Sequence, residues 1–271
     1  MECSICSQEI GLIDSKLNLY KCNHCSHKLS LPTEAQNEIY DESYFTVTHS
    51  KYFNNPPLDL YDNVINIIQK RKPNAKTIFD VGCGTGTFLK HSIQKNPNWK
   101  YFGIDLVSNK YENIVFWEGD FLEFNTNEKF DVITNFMVIE HVVNPKIFID
   151  KIKMFLNPDG LLIVNTINSD SLVYRFAEFL KTFGFRKAYD RVYDAHHLQH
   201  FNNKSLLTFL NKNGFEIIEN KVHNYNMKAV DVPKSSFIVE KLYLLIVKIL
   251  FLISVPFSTG HHQTIACKVK K

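Results

Sequence analysis

The sequence predicts an α/β fold, a mostly parallel, seven-stranded sheet with helices on both faces, preceded by a small N-terminal module. Three observations predict it. Short β-branched or aromatic runs alternate with helix-period segments after Leu58, as parallel strands joined by crossover helices do. The first such run breaks directly into Gly82-Cys83-Gly84-Thr85-Gly86, three glycines spaced two apart. Ahead of everything stand two C-x-x-C pairs, Cys3/Cys6 and Cys22/Cys25, with fifteen residues between them.

The cysteine pairs define residues 1–31. A C-x-x-C knuckle holds two thiolates on one side of a tetrahedral ion, and two knuckles joined by a hairpin-length loop leave no position for water. The reading is a structural zinc ribbon with Cys3, Cys6, Cys22 and Cys25 as ligands and His24 and His27 as surplus groups. Disulfides would need an oxidising compartment that nothing else in the chain supports. Cys83 reads as a small space-filling residue and Cys267 as core. A connector follows over residues 32–57, acidic and aromatic, with Tyr40, Tyr44, Phe45, Tyr52 and Phe53.

The third unit is residues 58–271. Its first helix, Leu58 to Arg71, has a broad apolar face and ends at Pro73 and Asn74. A strand from Lys76 to Val81 leads into the glycines, where backbone N–H groups and a helix N-terminus can approach a ligand closely. A dinucleotide fingerprint would need a glycine at position 87, which is Thr87. A second strand, Trp99 to Asp105, ends in a carboxylate placed to accept from a ribose diol. A third, Asn113 to Trp117, ends at Glu118-Gly119-Asp120-Phe121, an acid suited to an adenine amino group beside an aromatic face. The fourth strand, Phe130 to Thr134, runs into Asn135-Phe136-Met137-Val138-Ile139-Glu140-His141. The helix Pro145 to Leu156 is stopped by Asn157-Pro158-Asp159-Gly160 before the apolar strand Leu161 to Val164. A helix from Lys204 to Asn213 and a strand from Glu216 to Val222 come next, and Gln263 to Val269 is the antiparallel last strand.

The D-x-G-x-G-x-G run at Asp80, Gly82, Gly84 and Gly86, followed in order by Asp105, Asp120 and Phe121, resembles class I S-adenosylmethionine (SAM) dependent methyltransferases over residues 58–222. The resemblance implies the seven-stranded, Rossmann-like sheet of that family and makes those seven residues the cofactor-binding set. Ala195-His196-His197-Leu198-Gln199-His200-Phe201 resembles the H-L-x-x-F element of the group that includes ubiquinone-type O-methyltransferases, with His197 as the matching residue. Glu140-His141 resembles the acidic-histidine pair that can hold a divalent metal in that group. The further carboxylate three residues earlier is Met137 here, so metal dependence at this site is expected to be absent or weak. His197 is the first candidate for the base that removes an acceptor proton, His141 the second and His200 a third. The connector is similar to segments that cross the cofactor mouth in methyltransferases carrying a zinc module; its aromatics either line that pocket or dock on the core.

Two insertions depart from a minimal fold. Residues 169–194 form a helical cap carrying Arg175, Lys181, Arg186, Lys187 and Arg191, and residues 224–260 hold the almost wholly apolar stretch Phe237 to Phe257. The stretch Leu242 to Phe257 falls short of the ~20 apolar residues a bilayer span needs. It is either a buried core helix or an interfacial helix that, with the basic cap, rests on a membrane and admits a lipid-like acceptor. The favoured activity is SAM-dependent methylation, at oxygen, of a small or amphiphilic acceptor, quinone-like or lipid-like. A sugar or surface-glycan methyltransferase and a non-catalytic SAM-binding assembly protein stay open beside it. The balance of 31 basic against 28 acidic residues gives no footprint for nucleic acid. With a polar start at Met1-Glu2-Cys3, the expected location is cytoplasmic, with the inner face of a membrane as an added place of work if the apolar helix is interfacial. Oligomeric state is not legible.

Overall fold

A computed structural model describes residues 1–32, 54–107, 112–194, 196–232 and 236–270. The expectations for Tyr40, Tyr44, Phe45, Tyr52 and Phe53 lie outside the described residues.

The N-terminal module is an antiparallel meander of β1 (Ile10–Asp14), β2 (Leu19–Cys22) and β3 (Lys28–Ser30). The large sheet begins after α1 (Leu58–Arg71) with β4 (Thr77–Val81), α2 (Thr87–Lys95), β5 (Lys100–Asp105), β6 (Ile114–Glu118) and β7 (Phe130–Phe136). It continues through α3 (Pro145–Phe155) and β8 (Leu156–Ile167) to the cap helices α4 (Leu172–Thr182) and α5 (Arg186–Val192). Then come β9 (Gln199–His200), α6 (Asn203–Lys212), β10 (Phe215–His223), α7 (Phe237–Ser254) and β11 (His262–Val269). The seven-stranded order is β10-β11-β8-β7-β4-β5-β6, with β4 to β8 mutually parallel and β11 antiparallel to both neighbours. Because side chains alternate across a strand, Phe79, Val81 and Ile133 enter one buried cluster while Ile78 and Val132 enter another on the opposite face. Burial on both faces is why these strands read as unbroken apolar runs.

Two strands differ from the sequence reading. Strand β8 starts at Leu156, directly after α3, so Asn157 to Gly160 begin the strand instead of only stopping the helix; the register against β7 shifts between Phe130 and Val132 to accommodate them. The element β9, two residues long, was not anticipated, and it pairs with β3, giving the N-terminal sheet the order β1-β2-β3-β9. The module is therefore joined to the larger unit through a shared strand, and Cys3, Cys6, Cys22 and Cys25 sit in the same apolar cluster as Phe201 and Phe209.

The basic cap also points elsewhere than expected. Lys181 and Arg186 both pair with buried Asp14 of β1, at 2.5 and 2.9 Å. Arg175 pairs with Asp170, and Arg191 donates to the Asp231 carbonyl. Helix α7 is neither wholly core nor wholly free. It buries Val247, Phe251 and Ser254, while Ile238, Leu242, Leu245, Ile249 and Leu252 stay exposed on the other side. No helix among the described residues is long and apolar enough to cross a membrane.

Candidate active site

A cavity of about 530 Å³ lies at the carboxyl ends of β4 to β7. Its floor is the glycine turn. Gly82, Gly84 and Gly86 have φ of +70°, +52° and +68°, the left-handed region that side chains resist. At Gly82 a Cβ would also stand 2.2 Å from Val138 Cγ2, so the strand end and the loop after β7 can approach only across a glycine. Gly86 is the residue from which α2 starts.

The predicted cofactor residues fall on this cavity in different ways. Asp105, at the end of β5, accepts from the Gly84 N–H at 2.7 Å and the Val107 N–H at 3.2 Å, which locks the turn to the neighbouring strand. One turn N–H is thus already occupied by the protein. Burial raises the Asp105 carboxyl, opposed by those N–H groups. Asp80 is 2 % exposed and accepts from Thr134 Oγ1 at 2.7 Å. Burial pushes it up to about 8, with the Asp105 charge adding. Asp120 is exposed at the rim and accepts from the Leu122 N–H at 2.7 Å. Phe121 turns inward, its ring 5.4 Å from Phe148 and 6.0 Å from Phe155, with an edge on the cavity.

The other end of the cavity is built by the loop after β7. Met137 has φ +57° and is anchored by its N–H to the Asn165 carbonyl at 2.9 Å. Such strain in a non-glycine residue persists where surroundings hold it. Glu140 is 1 % exposed; Oε2 accepts from Thr166 at 2.8 Å, Oε1 has no partner among the described residues, and burial raises the carboxyl to about 7. His141 Nδ1 is 2.9 Å from the His196 carbonyl, which assigns the proton to Nδ1 and leaves the lone pair on Nε2. Burial, with His197 beside it, lowers His141 to about 3. The His141 and His197 rings are 4.8 Å apart, edge to face, and both line the cavity.

The ligating atoms of Glu140, His141 and His197 lie within 4.8 Å of one another, a set that could hold a cation. The weak-metal expectation rested on residue 137 alone; the structure supplies a different third group, His197. His200 is not in this set. It is buried in β9 with Nε2 2.9 Å from Ser30 Oγ, a strut between the two sheets.

Residues that sequence reasoning missed complete the site. Gln199 donates to the Val142 and Val143 carbonyls at 3.2 and 3.3 Å, and its Oε1 accepts from His27 Nε2 at 3.0 Å. His27, read as surplus, thus ties the ribbon to the loop carrying His141. Tyr225, His261 and His262 wall the far end. The His-His pair opening the last strand was the available signal, and strand propensity masked it. No Lys or Arg is among the described residues lining the cavity.

The four N-terminal cysteines form the second centre. Cys3 and Cys25 Sγ are 3.6 Å apart, Cys6 and Cys22 Sγ 3.4 Å, and all four atoms lie within 4.8 Å of one another as free, buried thiols. Sulfur separations of about 3.8 Å follow from four bonds of ~2.3 Å to a tetrahedral zinc, so the donor set fits that ion. The two knuckles match in backbone as well. Ser7 and Ser26, each next to a pair's second cysteine, have φ +60° and +59°, and their N–H groups donate to the Cys3 and Cys22 carbonyls, each at 2.9 Å. Against the cost of burial, the Cys25 and His24 N–H groups bring the Cys22 thiol down to about 7.

Residues 56–220 match the methyltransferase-domain family. Among curated proteins, the mitochondrial ubiquinone biosynthesis O-methyltransferase of Dictyostelium discoideum is 29% identical over 172 residues, 55% of this chain and 52% of that protein. Malonyl-[acyl-carrier protein] O-methyltransferase 2 of Ilyobacter polytropus is 29% identical over 115 residues, 39% of this chain and 44% of its own length. The chain thus spans about half the length of these relatives. Among solved structures, the plantazolicin methyltransferase BpumL in complex with SAH aligns with TM-score 0.58 at 15% identity, covering 86% of this chain and 92% of that one. A chain from the complex between the Haloferax volcanii Trm112 methyltransferase activator and a methyltransferase aligns with TM-score 0.54 at 11% identity, covering 86% and 100%. At these identities the likeness is one of fold.

Proposed function

We propose, from the premise that this chain belongs to the methyltransferase-domain family, that it transfers a methyl group from SAM to a hydroxyl of a small, uncharged, amphiphilic acceptor. One observation carries the reading. A single cavity joins a glycine turn with Asp105 and Asp120 at one end to His141, His197, His261 and His262 at the other, with no Lys or Arg among its described lining residues.

When bound, SAM supplies an electrophilic methyl on a positively charged sulfonium. Asp105, and Asp80 once ionised, place negative charge where that cation is favoured, and its neutral product is held less strongly. Asp105 and Asp120 are the acceptors for ribose and adenine groups, and Phe121 gives an apolar edge. For in-line displacement the protein has chiefly to orient the acceptor and hold its proton. His141 is fixed by the backbone and too hard to protonate to be a good resting place for that proton. That favours His197, with the partly satisfied Glu140 carboxyl beside it. The same three groups could bind a divalent cation. The cysteine centre holds one structural zinc.

The absence of Lys and Arg from the described lining argues against a nucleotide-linked sugar, whose phosphates would need them. An apolar acceptor is favoured further by α7, which packs Phe251 on the cavity-lining Tyr225 at 5.4 Å and leaves its opposite face to solvent. Lys241 and Lys248, seven apart, border that face and can reach anionic headgroups. A membrane surface is the partner this face fits. The function is tested by adding purified protein and labelled SAM to cell extract and searching by mass spectrometry for molecules that gain the label. Label in an apolar hydroxylated species supports the reading, and none in any species overturns it. Flotation with anionic vesicles tests the membrane contact: replacing the exposed Leu245 and Leu252 with Glu should abolish binding without changing SAM affinity.

A further inference from the structure

His262 is 3 % exposed and opens β11, where it stands opposite Ile167 of β8 and His223 of β10. Its ring lines the cavity, yet Nδ1 is buried with no hydrogen-bond partner among the described residues. Its nearest companions are rings, Tyr225 at 4.8 Å, His261 at 5.6 Å and His223 at 6.0 Å. Of the other buried histidines, His200, His223 and His261 each meet a polar side chain, Ser30, Thr264 and Ser171, while His27 meets Gln199 at Nε2 and leaves its own Nδ1 unpartnered among the described residues, away from the cavity. A buried polar atom without a partner is costly and calls for a reason.

The position supplies one. His262 stands opposite Ile167 in the ladder, and both line the same cavity as His141 and His197. Ile167 and the ring of Tyr225 flank it there. Burial keeps the ring neutral, well below its usual protonation range, and His197 contributes to that lowering. A neutral imidazole offers one N–H and one lone pair. A hydroxyl, both donor and acceptor, satisfies Nδ1 in either tautomer.

We propose that His262 is the acceptor-binding residue of this pocket, its ring nitrogen taking a hydroxyl carried on an apolar body. The proposal rests on the methyltransferase reading and identifies which residue selects the substrate. It is a binding residue for the acceptor, separate from those that hold SAM.

The test uses the full chain and two variants, His262→Phe and His262→Gln. Labelled-methyl incorporation is followed against serial dilutions of cell extract, giving a half-saturating acceptor level, while calorimetry gives SAM affinity. For His262→Phe the half-saturating level should rise at least tenfold with SAM affinity kept within twofold. His262→Gln, which restores a donor and an acceptor, should recover most of the loss. Thermal unfolding without acceptor gives a second readout. Removing an unsatisfied buried polar atom should raise the midpoint of His262→Phe by about 2–4 °C, whereas a ring that merely fills the core as an imidazole should lower it. An unchanged half-saturating level or a lowered midpoint overturns the proposal. If the wild type labels nothing, the methyltransferase reading fails, and the unfolding midpoint still decides whether His262 is a ligand-facing group.

Discussion

The two sheets of this protein are held together by opposite means. In the parallel sheet, Ile78, Phe79, Val81, Val132, Ile133 and Leu161 to Val164 are all fully buried, and apolar area does the work. The ribbon has strands of five, four and three residues, too short to bury much. It relies on the cysteine centre, on Asp14 held by Lys181 and Arg186, and on Lys28, whose Nζ is 2.6 Å from both Glu178 and the Tyr193 hydroxyl. Against the cost of burial, the two cations keep the Asp14 carboxyl far below its usual range. The lesson is a difference in vulnerability: the cofactor half answers to volume and backbone conformation, the ribbon to charge and to its four cysteines.

The largest effect should come from breaking the ribbon's centre. Purified, never-chelated protein should carry about one zinc by elemental analysis, and less than half an equivalent contradicts the assignment. Stripping the metal, or Cys22→Ser, should erase hydrogen-exchange protection over β1 to β3 and β9 while β4 to β8 keep theirs. SAM affinity should survive, because Asp105 and the glycine turn are tied to each other and not to the ribbon.

Asp105→Ala strikes the other half. Loss of a charged acceptor should weaken SAM by about 1.5 to 3 kcal/mol in calorimetry, with zinc content unchanged. A full-affinity variant, or a wild type that binds NAD and not SAM, would remove the cofactor assignment.

Asp80 sharpens the comparison through pH. Its folded pKa, about 8, lies above the unfolded value of about 3.9. Such a group favours the fold below the unfolded value, and that contribution is lost as pH rises through 8. Asp80→Asn should therefore gain in melting temperature over wild type between about pH 4 and 8, then level off. In wild type, SAM affinity should climb as pH approaches 8 and the carboxylate forms, and the variant should show no such climb. A difference in melting temperature that is flat with pH counts against this placement of the charge.

The smallest effect belongs to the knuckles. Ser26 and Ser7 hold left-handed conformations that glycine adopts without strain. Ser26→Gly should stabilise the zinc-loaded ribbon by up to about 1 kcal/mol, read as slower zinc loss to a chelator. Faster loss would mean that the serine side chain is needed.

Much of this was legible because it is local. The glycine turn, Asp105 and Asp120 follow strands whose apolar pattern is unbroken, and the two C-x-x-C pairs mark the four cysteines whose sulfurs come together. What was hidden depends on distant partners. Strand β9 has two residues and no periodicity to detect, and its existence comes from Lys28 pairing with His200 across the whole catalytic unit. For the same reason His200 resembled a base while Ser30 makes it a strut, and His27 resembled a spare ligand while Gln199 makes it a link. Helix α7 has only Glu240, Lys241 and Lys248 as charged residues among mostly apolar ones, too few for a pattern that separates the face meeting Tyr225 from the one meeting solvent.

The shared strand has a consequence for how the chain is made. Synthesis delivers the ribbon first, yet β3 obtains its neighbour only when residues 199–200 emerge. Until then the edge of β3 offers unpaired N–H and C=O groups to any passing chain. Lys28, buried against Glu178 and Tyr193 in the finished protein, is a charge on that open edge beforehand. The residue that later docks the ribbon is thus a guard against aggregation for the nascent chain.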